Sequence, residues 1–159
     1  MKILLATEGS SFSKAAIDTC CQIFRNTDGV EIRILSAAEP LIVPMEPFAV
    51  SAEYMADAER AAVENCNSSA SSAESTVRTA FPQIGDRLTT KVIKDNPIPA
   101  IIEEAKDRGA DLIILGSHGY GFWKRTFLGS VSNSVVHNAP CSVLIVRPKP
   151  DGENGSGNV

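Results

Sequence analysis

Five short apolar runs recur along the 159-residue chain, and the longer stretches between them carry apolar residues at every third or fourth position. The runs are Ile3 to Ala6, Val30 to Ala37, Leu88 to Lys94, Asp111 to Leu115 and Ser142 to Val146. Continuous apolar runs of this length suit strands covered on both faces, and the intervening segments are long enough for crossover helices. The pattern therefore predicts right-handed βαβ units, a parallel sheet and helices on both of its faces, the α/β class.

The helical segments carry their own start and stop signals. Phe12, Ala16, Cys20, Ile23 and Phe24 share one helix face behind a capping serine at position 10 or 11. Pro44 and Pro47, with Pro40, make the next stretch an irregular extended loop, and Met55, Ala58, Ala62, Cys66, Ala73 and Val77 then mark a long second helix. Its serine-rich middle, residues 65–72, has weak helix propensity, so fraying or a break is expected there. A phosphorylation or partner segment is the functional alternative for this run. Pro97 stands at the first position of a third helix that carries Ile98, Ile101, Ile102 and Ala105 and stops at Gly109. A fourth helix starts at Ser130, runs through Val131, Val135 and Val136, and ends before Pro140.

The strand ending at Leu115 leads straight into Gly116-Ser117-His118-Gly119, and Gly129-Ser130 follows nine residues later. Glycines behind a strand, then a serine-started helix, offer bare backbone N–H groups and a helix N-terminus to one point, which suits a phosphate. In this reading glycine serves by letting the backbone approach phosphate oxygens and by adopting positive φ without strain.

The spacing Gly116, two residues, Gly119, nine residues, Gly129-Ser130 resembles the nucleotide-binding branch of the universal stress protein family. The opening Lys2-Ile-Leu-Leu-Ala-Thr-Glu-Gly-Ser10, the segment Asp95 to Ile101 and the close Asn138 to Arg147 are also similar to family segments, in family order. Together they cover residues 1–148, with the weakest likeness between 38 and 85. The resemblance implies an open five-stranded parallel sheet of order 3-2-1-4-5, Rossmann-like and similar to the adenine nucleotide alpha hydrolases. Residues 149–159 have nothing able to anchor a core before Val159 and are expected to be a disordered tail. In such a sheet ligands bind where the strand order reverses, outside the carboxyl ends of the strands. Ala6, Thr7 and Glu8, then Ala37, then the glycine loop meet there. By family position Glu8 faces the ribose, Ala37 offers backbone groups to the adenine, and Gly116, Ser117, His118, Gly119, Gly129, Ser130, Val131 and Ser132 hold the phosphates. ATP, ADP or AMP is the implied ligand, with Mg2+ or Mn2+ able to bridge its phosphates. Glu8 departs from the aspartate common in relatives, and Asp95 from a glycine. His118 contributes its imidazole or its backbone alone, Lys124 and Arg125 neutralise phosphate or stay solvated, and His137 favours a helix C-terminus. Phe122, Trp123 and Phe127 form the apolar underside of the loop or a partner-docking patch.

Composition narrows the class further. A net charge of −4 and a pI near 5.2 do not suggest the basic face that nucleic acid demands. No apolar run reaches bilayer length and the N-terminus lacks a secretory signal pattern, so a cytoplasmic protein is expected. Cys20, Cys21, Cys66 and Cys141 have neither CxxC nor zinc spacing and read as buried reduced thiols. Neither a phosphate-loop lysine nor a Ser/His/acid set is legible, so the favoured expectation is a stress-response binding module. Slow ATP hydrolysis and a nucleotide-free dimeric scaffold are the alternatives. The last strand, 142–146, is apolar on both faces at a sheet edge, which predicts a homodimer through it.

Overall fold

In the computed structural model, described here for residues 1–40, 51–119 and 128–148, the chain alternates strand and helix throughout. The strands are β1 (Lys2–Ala6), β2 (Glu31–Ala37), β3 (Leu88–Ile93), β4 (Leu112–Gly116) and β5 (Ser142–Val146). Between them lie α1 (Ser11–Phe24), α2 (Ala52–Ala80), α3 (Pro97–Arg108) and α4 (Ser130–Asn138), with a short 3-10 turn at Gly85–Arg87. All four strand pairs are parallel and the sheet order is β3-β2-β1-β4-β5. The predicted α/β architecture is therefore present, and the order reverses between β1 and β4.

Each face of the sheet packs its own apolar layer. Ile3, Leu5, Ile32, Ile34, Ile114 and Val146 meet Ala16, Ile17 and Cys20 of α1 and Ala70, Ala73 and Val77 of α2. On the other face Leu4, Ala6, Leu35, Ile113 and Leu115 meet Ile101 and Ala105 of α3 and Val135 of α4. Strands β1, β2 and β4 are covered on both sides, which explains their continuous apolar runs.

Helix boundaries follow their caps. Ser10, not Ser11, caps α1, with its hydroxyl accepting from Ser13 N. Asn96 caps α3 from Ile98 N, and Gly109 ends it in the left-handed region at φ 59°. The expected break in the second helix does not occur: α2 is continuous for 29 residues through the serine run, capped by Ser51. Ala70, Ala73 and Val77 bury one stripe against β2 and β3, and this packing outweighs the weak propensity of the exposed serines. The segments 41–50, 120–127 and 149–159 lie outside the described residues, and with them the proline-rich loop, Phe122, Trp123, Lys124, Arg125, Phe127 and the tail.

An ion cluster around the buried Glu104 on the α3 face had no counterpart in the sequence reading. Glu104 of α3, 6% exposed, pairs with Arg33 of β2 at 3.2 Å and with Lys91 of β3. Burial, then the nearby Arg108, pushes the Arg33 guanidinium below its usual value, while Glu104 acts the other way.

Candidate functional site

The carboxyl ends of β1 and β4 deliver the two loops that the sequence singles out. After β1, Thr7 is buried and its N–H donates to Leu35 O at 2.9 Å, so the loop stays fastened to β2. Gly9 turns the chain at φ 90°. Its N–H donates to Ser13 Oγ (3.1 Å) and to Thr7 Oγ1 (3.4 Å), which pins the loop to the first turn of α1. Glu8 is half-buried, and Ser10 Oγ donates to its Oε1. The α1 cap thus also aims the acidic side chain.

After β4, Ser117 organises the second loop. Its N–H donates to Val146 O of β5 at 2.8 Å, and its carbonyl accepts from Gly129 N and from Ser132 Oγ, each at 2.8 Å. Ser132 Oγ also lies 3.0 Å from Gly129 O. The loop that leaves at His118 and returns at Gly129 is therefore closed at its neck by backbone and one buried hydroxyl. His118 is buried, with Nδ1 3.1 Å from Ser117 Oγ and its ring tilted against Phe12, centroids 5.2 Å apart.

Helix α4 opens at this neck. Its N-cap is Gly129, and no side chain caps it, whereas serine or asparagine caps α1, α2 and α3. Asn133 N makes the first helical bond, to Gly129 O, so the N–H groups of Ser130, Val131 and Ser132 have no intrahelical acceptor. Three donors and the positive end of the helix dipole thus lie at the neck, where Gly129 N bonds Ser117 O. Across from them, a β-carbon built on Gly119 would lie 3.8 Å from Glu8 Oε1. Glu8 and the glycine loop meet across the β1–β4 reversal.

The glycines serve this site differently from the expectation. Among the described residues, positive φ is confined to Gly9, Gly29, Gly85 and Gly109, and Gly129 has φ −64°. None of the three loop glycines needs the left-handed region. Gly116 is required by packing, since a β-carbon there would lie 2.7 Å from the carbonyl carbon of Phe12 and 2.9 Å from its oxygen. Gly129 is tight, 3.3 Å from Ser117 O and His118 Cα, while among the described residues the nearest atom to Gly119 is Glu8 Oε1 at 3.8 Å.

Of the sequence-predicted residues, Thr7, Glu8, Gly116, Ser117, His118, Gly119, Gly129, Ser130, Val131 and Ser132 surround this reversal. Ala6 lies just beneath it in the layer on the α3 and α4 face, and Ala37 ends β2 on the far side of β1. Ala38 N donates to Ile93 O, fastening that end to β3. Sequence reasoning missed Ser13, whose hydroxyl gathers Thr7 and Gly9, and Phe12, which seats Gly116. A buried serine on the apolar face of α1 was the available signal.

Two structural details bear on other expectations. Cys20 and Cys21 are buried, and burial pushes their thiols up to about 12 and about 11; Cys66 and Cys141 are only half-buried, and Cys141 precedes β5. His137 lies in the last turn of α4, as its dipole preference suggests. Among the described residues no helix is long and apolar enough to cross a membrane.

The family model of the universal stress proteins matches residues 1–147, and the chain belongs to that family. A universal stress protein of Thermus aquaticus is 31% identical over 145 residues, covering 91% of this chain and 97% of that protein. The fold is similar to that of a universal stress protein in complex with cAMP, with TM-score 0.65, 23% identity and coverage of 92% of this chain and 97% of that one. It is also similar to the Archaeoglobus fulgidus universal stress protein in complex with dAMP, with TM-score 0.59, 19% identity and coverage of 92% and 98%.

Proposed function

We propose that this chain is an adenine-nucleotide-binding regulatory module of the stress response, with ATP, ADP or AMP as ligand. The observation that carries the reading is the N-terminus of α4, which no side chain caps and whose Gly129 and Ser132 bond Ser117 at the strand-order reversal. An anion placed there gains the helix dipole and the backbone donors of a helix that no side chain caps. Two universal stress proteins of this fold have adenine nucleotides in their complexes, cAMP in one and dAMP in the other, which supports adenine as the base.

In this reading Gly116, Ser117, His118, Gly119, Gly129, Ser130, Val131 and Ser132 form the phosphate cradle. Ala6, Thr7 and Glu8 flank the ribose, and the backbone of Ala37 meets the adenine. Mg2+ or Mn2+ fits the site as a bridge between phosphates: Glu8 offers a hard carboxylate oxygen beside the open space at Gly119. Such a cation neutralises phosphate charge when bound. The protein acts in the cytoplasm as a homodimer paired through residues 142–146, where β5 has β4 on one side only and keeps Val143, Leu144 and Ile145 half-buried.

Isothermal titration with AMP, ADP and ATP tests the reading, together with mass spectrometry of ligand released from the denatured purified protein. Saturable binding is expected, lost in Gly119→Val because the added side chain fills the space between Glu8 and the cradle. Absence of binding of all three nucleotides at millimolar concentration, with and without Mg2+, refutes it.

A further inference from the structure

We propose that Arg33, Thr89 and Arg108 form a separate anion site on the α3 face of the β2–β3 edge, one that takes a small tetrahedral oxyanion of the phosphate class. None of these residues belongs to the loops after β1 and β4, so the site stands apart from the nucleotide reading.

Three observations lead to it. First, Arg33 and Thr89 are paired directly in the register of β2 and β3, and each buries a polar atom that has no hydrogen-bond partner among the described residues, Nε of one and Oγ1 of the other. Thr89 shares a face with Lys91, two residues on, and Lys91 and Arg33 both turn to Glu104 of α3. Two orphaned polar atoms on neighbouring strands therefore look into one place, and such groups are ordinarily satisfied. Secondly, Glu104 is divided between two cations. Its Oε1 lies 3.2 Å from Arg33 Nε, an ion-pair distance without a directional bond, and its Oε2 is taken by Lys91. The Arg33 side chain, 19% exposed, is thus only partly answered by the acid beside it. Thirdly, Arg108 lies one helical turn beyond Glu104 on α3, close enough to oppose the charge of Arg33. The fold holds two guanidinium groups near each other, and an anion within reach of both relieves their repulsion.

The donors define the ligand. A guanidinium presents paired N–H groups in a plane that matches two oxygens of a phosphate, and a threonine hydroxyl beside it can donate to a third. The approach is from the outer edge of the sheet, where β3 has β2 on one side only and Lys91 is 45% exposed. Glu31, two residues before Arg33 on the same face of β2, borders the site next to Lys2, its partner in register.

Inorganic phosphate titrated into 15N-labelled protein at constant ionic strength forms the test, with the Arg33 Nε–H and the residue 89 amide as reporters. Wild type and Gly119→Val are titrated side by side, so that phosphate held by the glycine loop is separated from phosphate held here. Saturable shifts at millimolar phosphate are expected at both reporters in both proteins. Arg108→Gln should weaken them by about tenfold or more, the scale of one charge-assisted hydrogen bond, and Thr89→Val by a smaller factor. Circular dichroism of each variant verifies its fold, and the comparison of wild type with Gly119→Val stands without either variant. Shifts that chloride reproduces, or that vanish in Gly119→Val, overturn the site. Unchanged binding in a folded Arg108→Gln overturns its construction, and acetate shifts equal to those of phosphate overturn the ligand class. Nucleotide binding by the glycine loop can fail or succeed without altering these outcomes.

Discussion

Gly116→Ala should damage the fold, whereas alanine at Gly119, three residues on, should not. A methyl group at 116 would lie 2.7 Å from the carbonyl carbon, 2.8 Å from Cβ and 2.9 Å from the carbonyl oxygen of Phe12. Two of those atoms are backbone in the first turn of α1, which is held by the Ser10 cap and by Ser13. No rotamer change relieves the clash. Either α1 lifts from the end of β4 or β4 bends, and overpacking of this kind costs about 3 kcal/mol. For a chain of this size that is a fall in Tm of roughly 6–12 °C. Gly129→Ala meets Ser117 O and His118 Cα at 3.3 Å, so a few tenths of an ångström must be found. Its cost is offset by the alanine's lower entropy in the unfolded chain, leaving a change within about 1 kcal/mol. Among the described residues Gly119→Ala meets nothing closer than 3.8 Å and Gly119 has no positive φ, so its stability should equal or exceed wild type by up to about 1 kcal/mol. Differential scanning calorimetry of the three variants reads the order directly. A Gly116→Ala protein as stable as wild type, or a Gly119→Ala protein that loses as much, would refute the assignment of Gly116 to packing.

Glu104→Ala should lower stability by about 2–3 kcal/mol in urea, because it leaves Arg33 half-buried without its carboxylate; Lys91→Ala, at a side chain 45% exposed, should cost under about 1 kcal/mol. The raised thiols of Cys20 and Cys21 make the unfolded chain lose protons first. Stability from this source is intact below pH 9, the ordinary thiol value, and falls as pH rises from there towards 11 and 12, a decline that Cys20→Ala should reduce in a pH series of urea midpoints. In native protein at pH 8, iodoacetamide followed by mass spectrometry should label Cys66 before Cys20 and Cys21, and equal labelling would contradict their burial. If the proposed homodimer pairs through residues 142–146, wild type should show a dimer mass in light scattering and Ile145→Asp should shift it towards monomer; a monomeric wild type, or an unchanged mass in the variant, would refute that pairing.

The architecture was legible because its signals are local. Buried parallel strands leave uninterrupted apolar runs, and Asn96-Pro97, Gly109 and Pro140 punctuate their helices through backbone geometry alone. The candidate site was legible as a set of loops, since Gly116, Gly119 and Gly129 carry recognisable spacing. What each glycine does was not, because the obstacle at Gly116 is a residue 104 positions earlier in the chain, Phe12. The continuity of α2 was hidden for a similar reason: the stripe Ala70, Ala73 and Val77 stabilises residues whose own propensity points the other way. Arg33 interrupts the apolar run of β2, a signal that the sequence reading did not use. Sequence spacing has no means of naming Glu104, which reaches it from α3.

The closed neck at Ser117 separates the length of the glycine loop from the shape of the cradle. Ser117 O binds Gly129 N and Ser132 Oγ, so the two ends of the excursion meet whatever chain runs between them. The entropic cost of a longer excursion grows only as the logarithm of its length. Insertions between Gly119 and Leu128 should accordingly leave the neck bonds of Ser117, Gly129 and Ser132 in place.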